Sequence, residues 1–311
     1  MKRIQYHQYG GPEVMRYEDF APPRPGEGEV SVRVRAAAAN PYDWKVRNGE
    51  MKFMSGRSFP RGFGFDFAGV VEAVGPGVTR LSVGDEVLGV APIKSSGAFA
   101  EMVVVVEKGV ARKPPGLSFE EAAAIPTVGG AALQGLVTKG KLQAGQSVFV
   151  HGCLGGVGRA AVQIAMARGA AVVGGSCRTS GMPEARELGV APVVEFDAIP
   201  PTLAKAFDIV YDTVGTLAPA TARRLLKPGG HIIDIVPSAT KFIRSALPGP
   251  YQVLITQHNA DDLEELARMC AEGKLRLPIA RTVPLEDAIP ALTELERNNT
   301  PRGGKLIITA G

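Results

Sequence analysis

At 311 residues the chain is long enough for two domains with cores of their own. Hydrophobic residues at 45% and charged residues at 21% match ordinary globular proteins, which excludes intrinsic disorder and a charge-driven tail. The formal net charge of +4 is small and its Lys and Arg are dispersed, so neither nucleic acid nor a membrane surface is expected as a partner, whereas a small anionic ligand is compatible.

Up to about Lys113 the chain reads as short strands and glycine turns. Valines alternate with polar residues in Val30-Ser31-Val32-Arg33-Val34-Arg35, the period of a half-buried antiparallel strand. Gly69-Val70-Val71-Glu72-Ala73-Val74 and Val83-Gly84-Asp85-Glu86-Val87 continue the pattern, with Gly75-Pro76-Gly77 as a turn between them. An all-β region, a small barrel, is predicted. The apolar run Met102-Val103-Val104-Val105-Val106 is closed by Glu107 and Lys108, far short of the roughly 20 residues that span a bilayer, so no membrane segment is expected.

After Pro114-Pro115-Gly116 the grammar changes. Ser118 with Glu121 three residues on is a capping-box signature for an alanine-rich helix, interrupted at Ile125-Pro126, and a second helical stretch is predicted after Gly129-Gly130. From Gln146 onward, strands alternate with helices. Strands are predicted at 147–151, 171–173, 207–211 and 231–235, with a helix over 157–168, an alternation that argues for a parallel sheet covered by helices. Leu263, Leu266, Ala267 and Cys270 form one face of an amphipathic helix, 285–296 is a further helix, and Lys305-Leu306-Ile307-Ile308 is a strand. Cys153, Cys177 and Cys270 are odd in number, lack a CxxC pair and follow an opening, Met1-Lys2-Arg3-Ile4-Gln5, without an apolar signal core. A reduced, cytoplasmic protein is therefore expected.

Glycine makes up 38 of the 311 residues, above its usual share of about 7%, and the densest cluster sits where chemistry is expected. His151-Gly152-Cys153-Leu154-Gly155-Gly156-Val157-Gly158 lies between an apolar strand and a helix, where backbone N–H groups can receive a pyrophosphate at the helix N-terminus. The strict GxGxxG pattern is absent. Gly156-Val157-Gly158 with Ala161 satisfies a G-x-G-x-x-A variant, and a second frame puts Cys153, Gly155 and Gly158 at the three fingerprint positions. About 20 residues on, where an acid would bind the ribose of NAD, Gly174-Gly175-Ser176-Cys177-Arg178-Thr179-Ser180 carries none. Arg178 can pair with a 2′-phosphate through its planar fork, with Ser176, Thr179 and Ser180 as further donors, which favours NADPH over NADH.

Further ordered blocks run over nearly the whole chain. They are Asn40-Pro41-Tyr42-Asp43-Trp44-Lys45-Val46-Arg47-Asn48-Gly49, Pro60 with Gly64-Phe65-Asp66-Phe67-Ala68-Gly69-Val70-Val71, Gly84-Asp85-Glu86-Val87, and Gly97-Ala98-Phe99-Ala100-Glu101. After Gly155-Gly156-Val157-Gly158 with Gln163 come Asp212-Thr213-Val214-Gly215, Lys227-Pro228-Gly229-Gly230 and Arg302-Gly303-Gly304-Lys305. In these blocks the chain resembles the zinc-free quinone oxidoreductase (zeta-crystallin-like) type of the medium-chain dehydrogenase/reductase superfamily.

The resemblance implies an α/β protein in which a GroES-like β-barrel catalytic domain (1–117 and 258–311) carries an inserted Rossmann domain, a doubly wound parallel sheet over 118–257, with the cofactor in the cleft. It implies that Asn40 and Asp43 border the nicotinamide and substrate, with Asn40 a donor to a developing oxyanion and Asp43 orienting a neighbour or water, or else Asn40-Pro41 simply forming a turn that Asp43 caps. Tyr42 and Lys45 are possible proton donors, and Tyr42 is equally a packing residue. Thr127, beside Val128 and Gly129, is implied to contact the nicotinamide, and Val214 or Gly215 to offer a backbone contact. Gly152, Cys153, Gly155, Gly156, Val157 and Gly158 are the implied phosphate loop. A homodimer joined edge to edge through Tyr251-Gln252-Val253-Leu254-Ile255 follows by analogy.

Some positions depart from the family. A lysine expected for the 2′-phosphate is replaced by Gly181-Met182-Pro183, the expected aromatic hydroxyl by Phe196, and Cys153 stands where alanine or glycine is usual. A thiol at a helix N-terminus can have a lowered pKa, so oxidation-sensitive cofactor binding is one expectation for Cys153 and a small buried packing residue the other. The Cys and His ligands of the zinc alcohol dehydrogenases are missing from the segments at Asn40 to Asp43 and Gly64-Phe65-Asp66, and His7, His151, His231 and His258 have no ligand spacing, so no metal is expected. Without a Lewis acid a simple ketone is a poor hydride acceptor, whereas a quinone or α,β-unsaturated carbonyl spreads the incoming charge onto a distant oxygen. Hydride transfer from NADPH to such a small-molecule acceptor is the expected reaction, with a pathway-specific alkenal or enoyl reductase and a catalytically idle NADPH-binding protein as alternatives.

Overall fold

Both ends of the chain contribute strands to one sheet. In the computed structural model, which describes residues 1–94, 97–298 and 303–311, the strand Lys305–Thr309 lies antiparallel to Glu29–Ala38, with Ile307 opposite Ala38. The sheet runs Ile279–Pro284, Lys305–Thr309, Glu29–Ala38, Asp66–Val74, Glu86–Val90 and Val110–Arg112, with Met102–Val106 also paired to Glu29–Ala38. All its pairs are antiparallel except the first. The valine alternation works as the period demands: Val30, Val32 and Val34 are buried while Arg33 and Arg35 are exposed. Beyond Arg35 the strand is buried on both faces, which is why it continues as Ala36-Ala37-Ala38. Phe67, Val71, Val87, Val103, Leu306 and Ile308 complete this core. Together with a small sheet of Arg16–Asp19, Lys2–Tyr6 and Arg61–Gly62, this is the GroES-like unit, formed by Met1–Thr127, His258–Gly273 and Leu277–Gly311.

The second unit, Val128–Gln257 with Lys274–Arg276, is built on a six-stranded sheet in the order Val193–Glu195, Val172–Cys177, Ser147–His151, Phe207–Asp212, Leu226–Asp234 and Tyr251–Val253. Every pair is parallel. Numbered along the chain, the order is that of the Rossmann fold, and it reverses between Ser147–His151 and Phe207–Asp212, the switch point where such sheets bind ligands. All of Ser147–His151 is buried, and Phe149 meets Phe207 with ring centroids 5.1 Å apart.

Three local expectations change. The second helix starts at Pro126 and runs through both glycines to Leu133, continuing as a π-helical turn over Gln134–Lys139; proline at the first position loses only an N–H that has no helical partner anyway. Val83-Gly84-Asp85 is a turn, with Gly84 at φ +93 and the Asp85 carboxylate accepting the Ser82 N–H at 2.9 Å, and the strand begins at Glu86. The strand expected to end at Val173 continues to Cys177. Its Gly174 lies where a Cβ would be 2.9 Å from the Phe207 ring, so the glycines there serve close packing. The capping box at Ser118 forms, with Ser118 Oγ accepting from the Glu121 N–H at 3.1 Å and the Glu121 carboxylate accepting from the Ser118 N–H at 2.9 Å. Cys270 is half-buried on Ala260–Ala271, whose inner face is Leu263, Leu266, Ala267 and Met269. Among the described residues no helix is long and apolar enough to cross a membrane.

Candidate functional site

In the first unit the polar residues of the family blocks converge in a dry cluster. Asn40 leaves the strand Glu29–Ala38 and starts the helix Pro41–Arg47; its backbone N–H donates to Asp43 Oδ2 at 2.6 Å, so Asp43 caps the turn. The Asn40 amide is fully engaged within the protein. Its Nδ2 donates to the Ala38 carbonyl at 3.2 Å and to Asp66 Oδ2 at 3.0 Å, and its Oδ1 accepts from Lys305 Nζ at 2.5 Å. As found, Asn40 holds its neighbours in place and has no amide hydrogen left for an oxyanion. Thr127, in the first turn of Pro126–Leu133, donates its hydroxyl to Asp66 Oδ1 at 2.5 Å and its backbone N–H to Asp66 Oδ2 at 3.1 Å. Lys305 Nζ also donates to the Ala39 carbonyl at 3.0 Å.

Asp66, Asn40, Asp43 and Lys305 are all buried. One ammonium thus serves two carboxyls away from water. Burial pushes Asp66 up, opposed by the charge of Lys305 and the Thr127 and Asn40 hydrogen bonds, and pushes Asp43 well up, helped by Asp66. Lys305 is lowered by burial against the attraction of both acids. Asp43 Oδ1 is buried without a hydrogen-bond partner among the described residues. Tyr42 and Lys45, half-buried, stand outside the network. The Tyr42 ring packs on Phe65 at 4.8 Å, and burial raises its hydroxyl to about 12.

In the second unit the glycine loop joins Ser147–His151 to the helix Gly156–Ala167 at the switch point. Gly152 has φ +85, and its N–H and that of Cys153 both donate to the Ser176 carbonyl, at 3.0 and 3.1 Å; the Gly155 N–H donates to the Gly152 carbonyl at 3.0 Å. The N–H groups of Leu154, Gly156, Val157 and Gly158 have no partner among the described residues, and the last three belong to the open first turn of the helix. A Cβ on Gly158 would be 2.0 Å from the Gly152 carbonyl oxygen, whereas one on Gly155 would meet that oxygen only at 3.4 Å. Gly158 is therefore the packing glycine and Gly155 the one whose missing side chain leaves open space, the roles of the third and second fingerprint positions in the Cys153 frame. A pyrophosphate with four unspent donors and a helix N-terminus to receive it fits this loop.

Cys153 takes the first position because Gly175 on the neighbouring strand makes room: a Cβ there would be 2.8 Å from Cys153 Cβ. The expectation of a lowered thiol pKa is corrected. The side chain is fully buried, and burial, followed by Cys177, pushes it up to about 12. Ser176 is also corrected as a phosphate donor, because its fully buried hydroxyl is 2.7 Å from His151 Nδ1. Arg178 is exposed, with no side-chain hydrogen bond or ion pair to the described residues. Thr179 donates its hydroxyl to Glu195 at 2.6 Å, and Glu195 lies in register with Cys177. The backbone N–H groups of Val214 and Gly215 are both taken by Asp212 Oδ1, at 3.0 and 2.7 Å, and the Gly215 carbonyl by Lys241 Nζ at 3.0 Å, which leaves the Val214 carbonyl for a ligand.

Sequence reasoning did not single out Asp66, Lys305 or Glu195. An acid between Phe65 and Phe67 in an apolar strand was the available signal for the first. Arg302 lies outside the described residues. Among the described residues no group of three or more His, Cys, Asp or Glu is placed to hold a metal ion.

Two family models match the chain: "Alcohol dehydrogenase GroES-like domain" over residues 26–115 and "Zinc-binding dehydrogenase" over residues 188–308. A quinone oxidoreductase of Pseudomonas aeruginosa is 33% identical over 96% of this chain and 97% of its own length. A 2-methylene-furan-3-one reductase of Solanum lycopersicum is 33% identical over 99% of this chain and 79% of its own. Among solved structures, the quinone oxidoreductase of Coxiella burnetii matches with a TM-score of 0.88 at 30% identity over 99% of both chains.

Proposed function

The chain belongs to the quinone oxidoreductase family of the medium-chain dehydrogenase/reductase superfamily and is an oxidoreductase; from that premise we propose an NADPH-dependent reductase of quinones and α,β-unsaturated carbonyl compounds that works without zinc. The observation that carries the reading is the glycine loop at the switch point, with the N–H groups of Leu154, Gly156, Val157 and Gly158 unspent. They hold the pyrophosphate, and Gly155 lets it approach. The bound cofactor supplies hydride from its nicotinamide ring.

Exposed Arg178, free of other partners among the described residues, binds the 2′-phosphate. Glu195, beside the same turn, favours a second reading in which a ribose 2′-hydroxyl is held and NADH is used. The names of the two curated relatives point to the acceptor: one to quinones, the other to an enone. Conjugated acceptors also match the residue types, since Asn40 to Asp43 and Phe65 offer no thiolate or imidazole to a zinc ion. Asn40 and Asp43 act as positioning residues, and among the described residues the side chains of Tyr42 and Lys45 make no hydrogen bond to them.

Thermal shift with NADPH and with NADH, then NADPH oxidation with 1,4-quinones, 2-alkenals and cyclic enones, tests the proposal. No shift with either nucleotide removes it. A shift without turnover leaves an idle binding protein, and turnover confined to one alkenal or enoyl substrate leaves a pathway enzyme. The protein is further proposed to be cytoplasmic and a homodimer. The edge strand Tyr251–Val253 and the neighbouring exposed Phe242, Ile243 and Leu247 support the dimer, and light scattering on the purified protein tests it.

A further inference from the structure

We propose that the Thr127 hydroxyl is the proton donor of the reductase reaction and that Asp66 resupplies it. The proposal rests on the reductase reading above. Asp66 is 0% exposed, and its described hydrogen-bond partners are Thr127 and Asn40. Asn40, with Lys305 behind it, is buried, so Thr127, half-buried, is the one of these partners that reaches the surface. At 2.5 Å between oxygens the Thr127–Asp66 contact is a short, direct hydrogen bond, the connection along which a proton passes from the carboxyl to the hydroxyl.

A structural role explains only part of this arrangement. Capping the helix Pro126–Leu133 needs an acceptor for the Thr127 N–H, which Asp66 Oδ2 supplies at 3.1 Å. It needs neither a second bond through the hydroxyl nor a carboxyl whose proton affinity burial has raised. The groups that set that affinity are Lys305, which favours the carboxylate, Asp43, which competes for the same cation, the neutral Asn40 amide, and His258, which feels the charge of Asp66.

The step balances as follows. Hydride adds two electrons and one hydrogen nucleus to the conjugated acceptor, whose carbonyl oxygen becomes an oxyanion. The Thr127 O–H bond breaks as the bond from that proton to the acceptor oxygen forms. Thr127 Oγ1 takes the proton of the Asp66 carboxylic acid, and the resulting carboxylate is held by the Thr127 N–H, the Asn40 amide and the nearby Lys305 charge. Water returns the proton to Asp66 through Thr127 before the next cycle. Thr127 touches the substrate and is catalytic, whereas Asp66 acts through it.

The test compares Thr127→Val, Thr127→Ser and Asp66→Asn with the wild type, using NADPH and a 1,4-quinone. Thr127→Val is expected to lower kcat by about a hundredfold, the lower end of general-acid effects, with the NADPH thermal shift retained, and Thr127→Ser to restore it. In the wild type kcat should fall as pH rises and Asp66 loses its proton, and Asp66→Asn should remove that fall. The infrared spectrum of the nucleotide-free wild type should carry a protonated-carboxyl band that weakens in Asp66→Asn. An unchanged kcat and solvent isotope effect in Thr127→Val, or a pH profile unmoved by Asp66→Asn, overturns the relay. Loss of quinone turnover in the wild type itself would instead overturn the reductase reading.

Discussion

The cluster around Asp66 and the loop around Gly155 handle polar groups in opposite ways. In the cluster nearly every donor and acceptor is spent on a neighbour, and among the described residues Asp43 Oδ1 is its one buried side-chain atom left over. In the loop, four successive or nearly successive N–H groups have no partner among the described residues at the mouth of a helix. A saturated, buried network fixes positions and shifts proton affinities, whereas an unsaturated one receives a ligand. The two regions should therefore respond differently to the same kind of damage.

The largest expected effect is on the saturated side. Lys305→Met leaves the buried Asn40 Oδ1 and the Ala39 carbonyl without the donor they share, and at about 1–3 kcal/mol for each unsatisfied buried acceptor it should cost about 2–5 kcal/mol in urea unfolding. A loss below about 1 kcal/mol would show that the network is not tightly coupled. Gly158→Ala forces a Cβ against the Gly152 carbonyl oxygen at 2.0 Å. The expected cost is about 1–3 kcal/mol of stability, and nucleotide binding should fall with it.

Arg178→Ala should leave stability alone and weaken NADPH relative to NADH by about ten- to a hundredfold, the value of a charge-assisted contact, measured by nucleotide titration. Equal losses would place the 2′-phosphate elsewhere and favour the reading built on Glu195. Gly155→Ala sharpens the contrast most directly. Its new Cβ meets protein only at 3.4 Å, so stability should change by less than about 0.5 kcal/mol while NADPH affinity drops. The smallest effect is at Cys153, whose thiol, buried and raised to about 12, should resist iodoacetamide in the native protein at pH 8 and react after unfolding.

What was legible in the sequence follows the range of the interaction. Ser118 and Glu121 are three residues apart, and their capping box forms as read. The parallel strands announce themselves as apolar runs, and the glycine loop sits between strand and helix as its spacing requires. Ser176 looked like a ligand donor because its type suits the task, but His151, 25 residues away, takes its hydroxyl. Asp66 and Lys305 stood only inside longer blocks, without a role of their own, because their meaning lies in partners 61 and 265 residues away, a distance that no local pattern encodes. Asn40 was found by resemblance, yet which way its amide is spent depends on those same distant groups.

The placement of Lys305–Thr309 against Glu29–Ala38 also sets an order of assembly. The contiguous run 128–257 can form most of its parallel sheet as soon as it leaves the ribosome, while the alanine end of Glu29–Ala38 waits for residues 307–309 to pair with it. Until then Ala36-Ala37-Ala38 presents an open strand edge to any other chain. Aggregation during expression should therefore respond more to changes that delay the last strand than to equally destabilising changes within the Rossmann sheet.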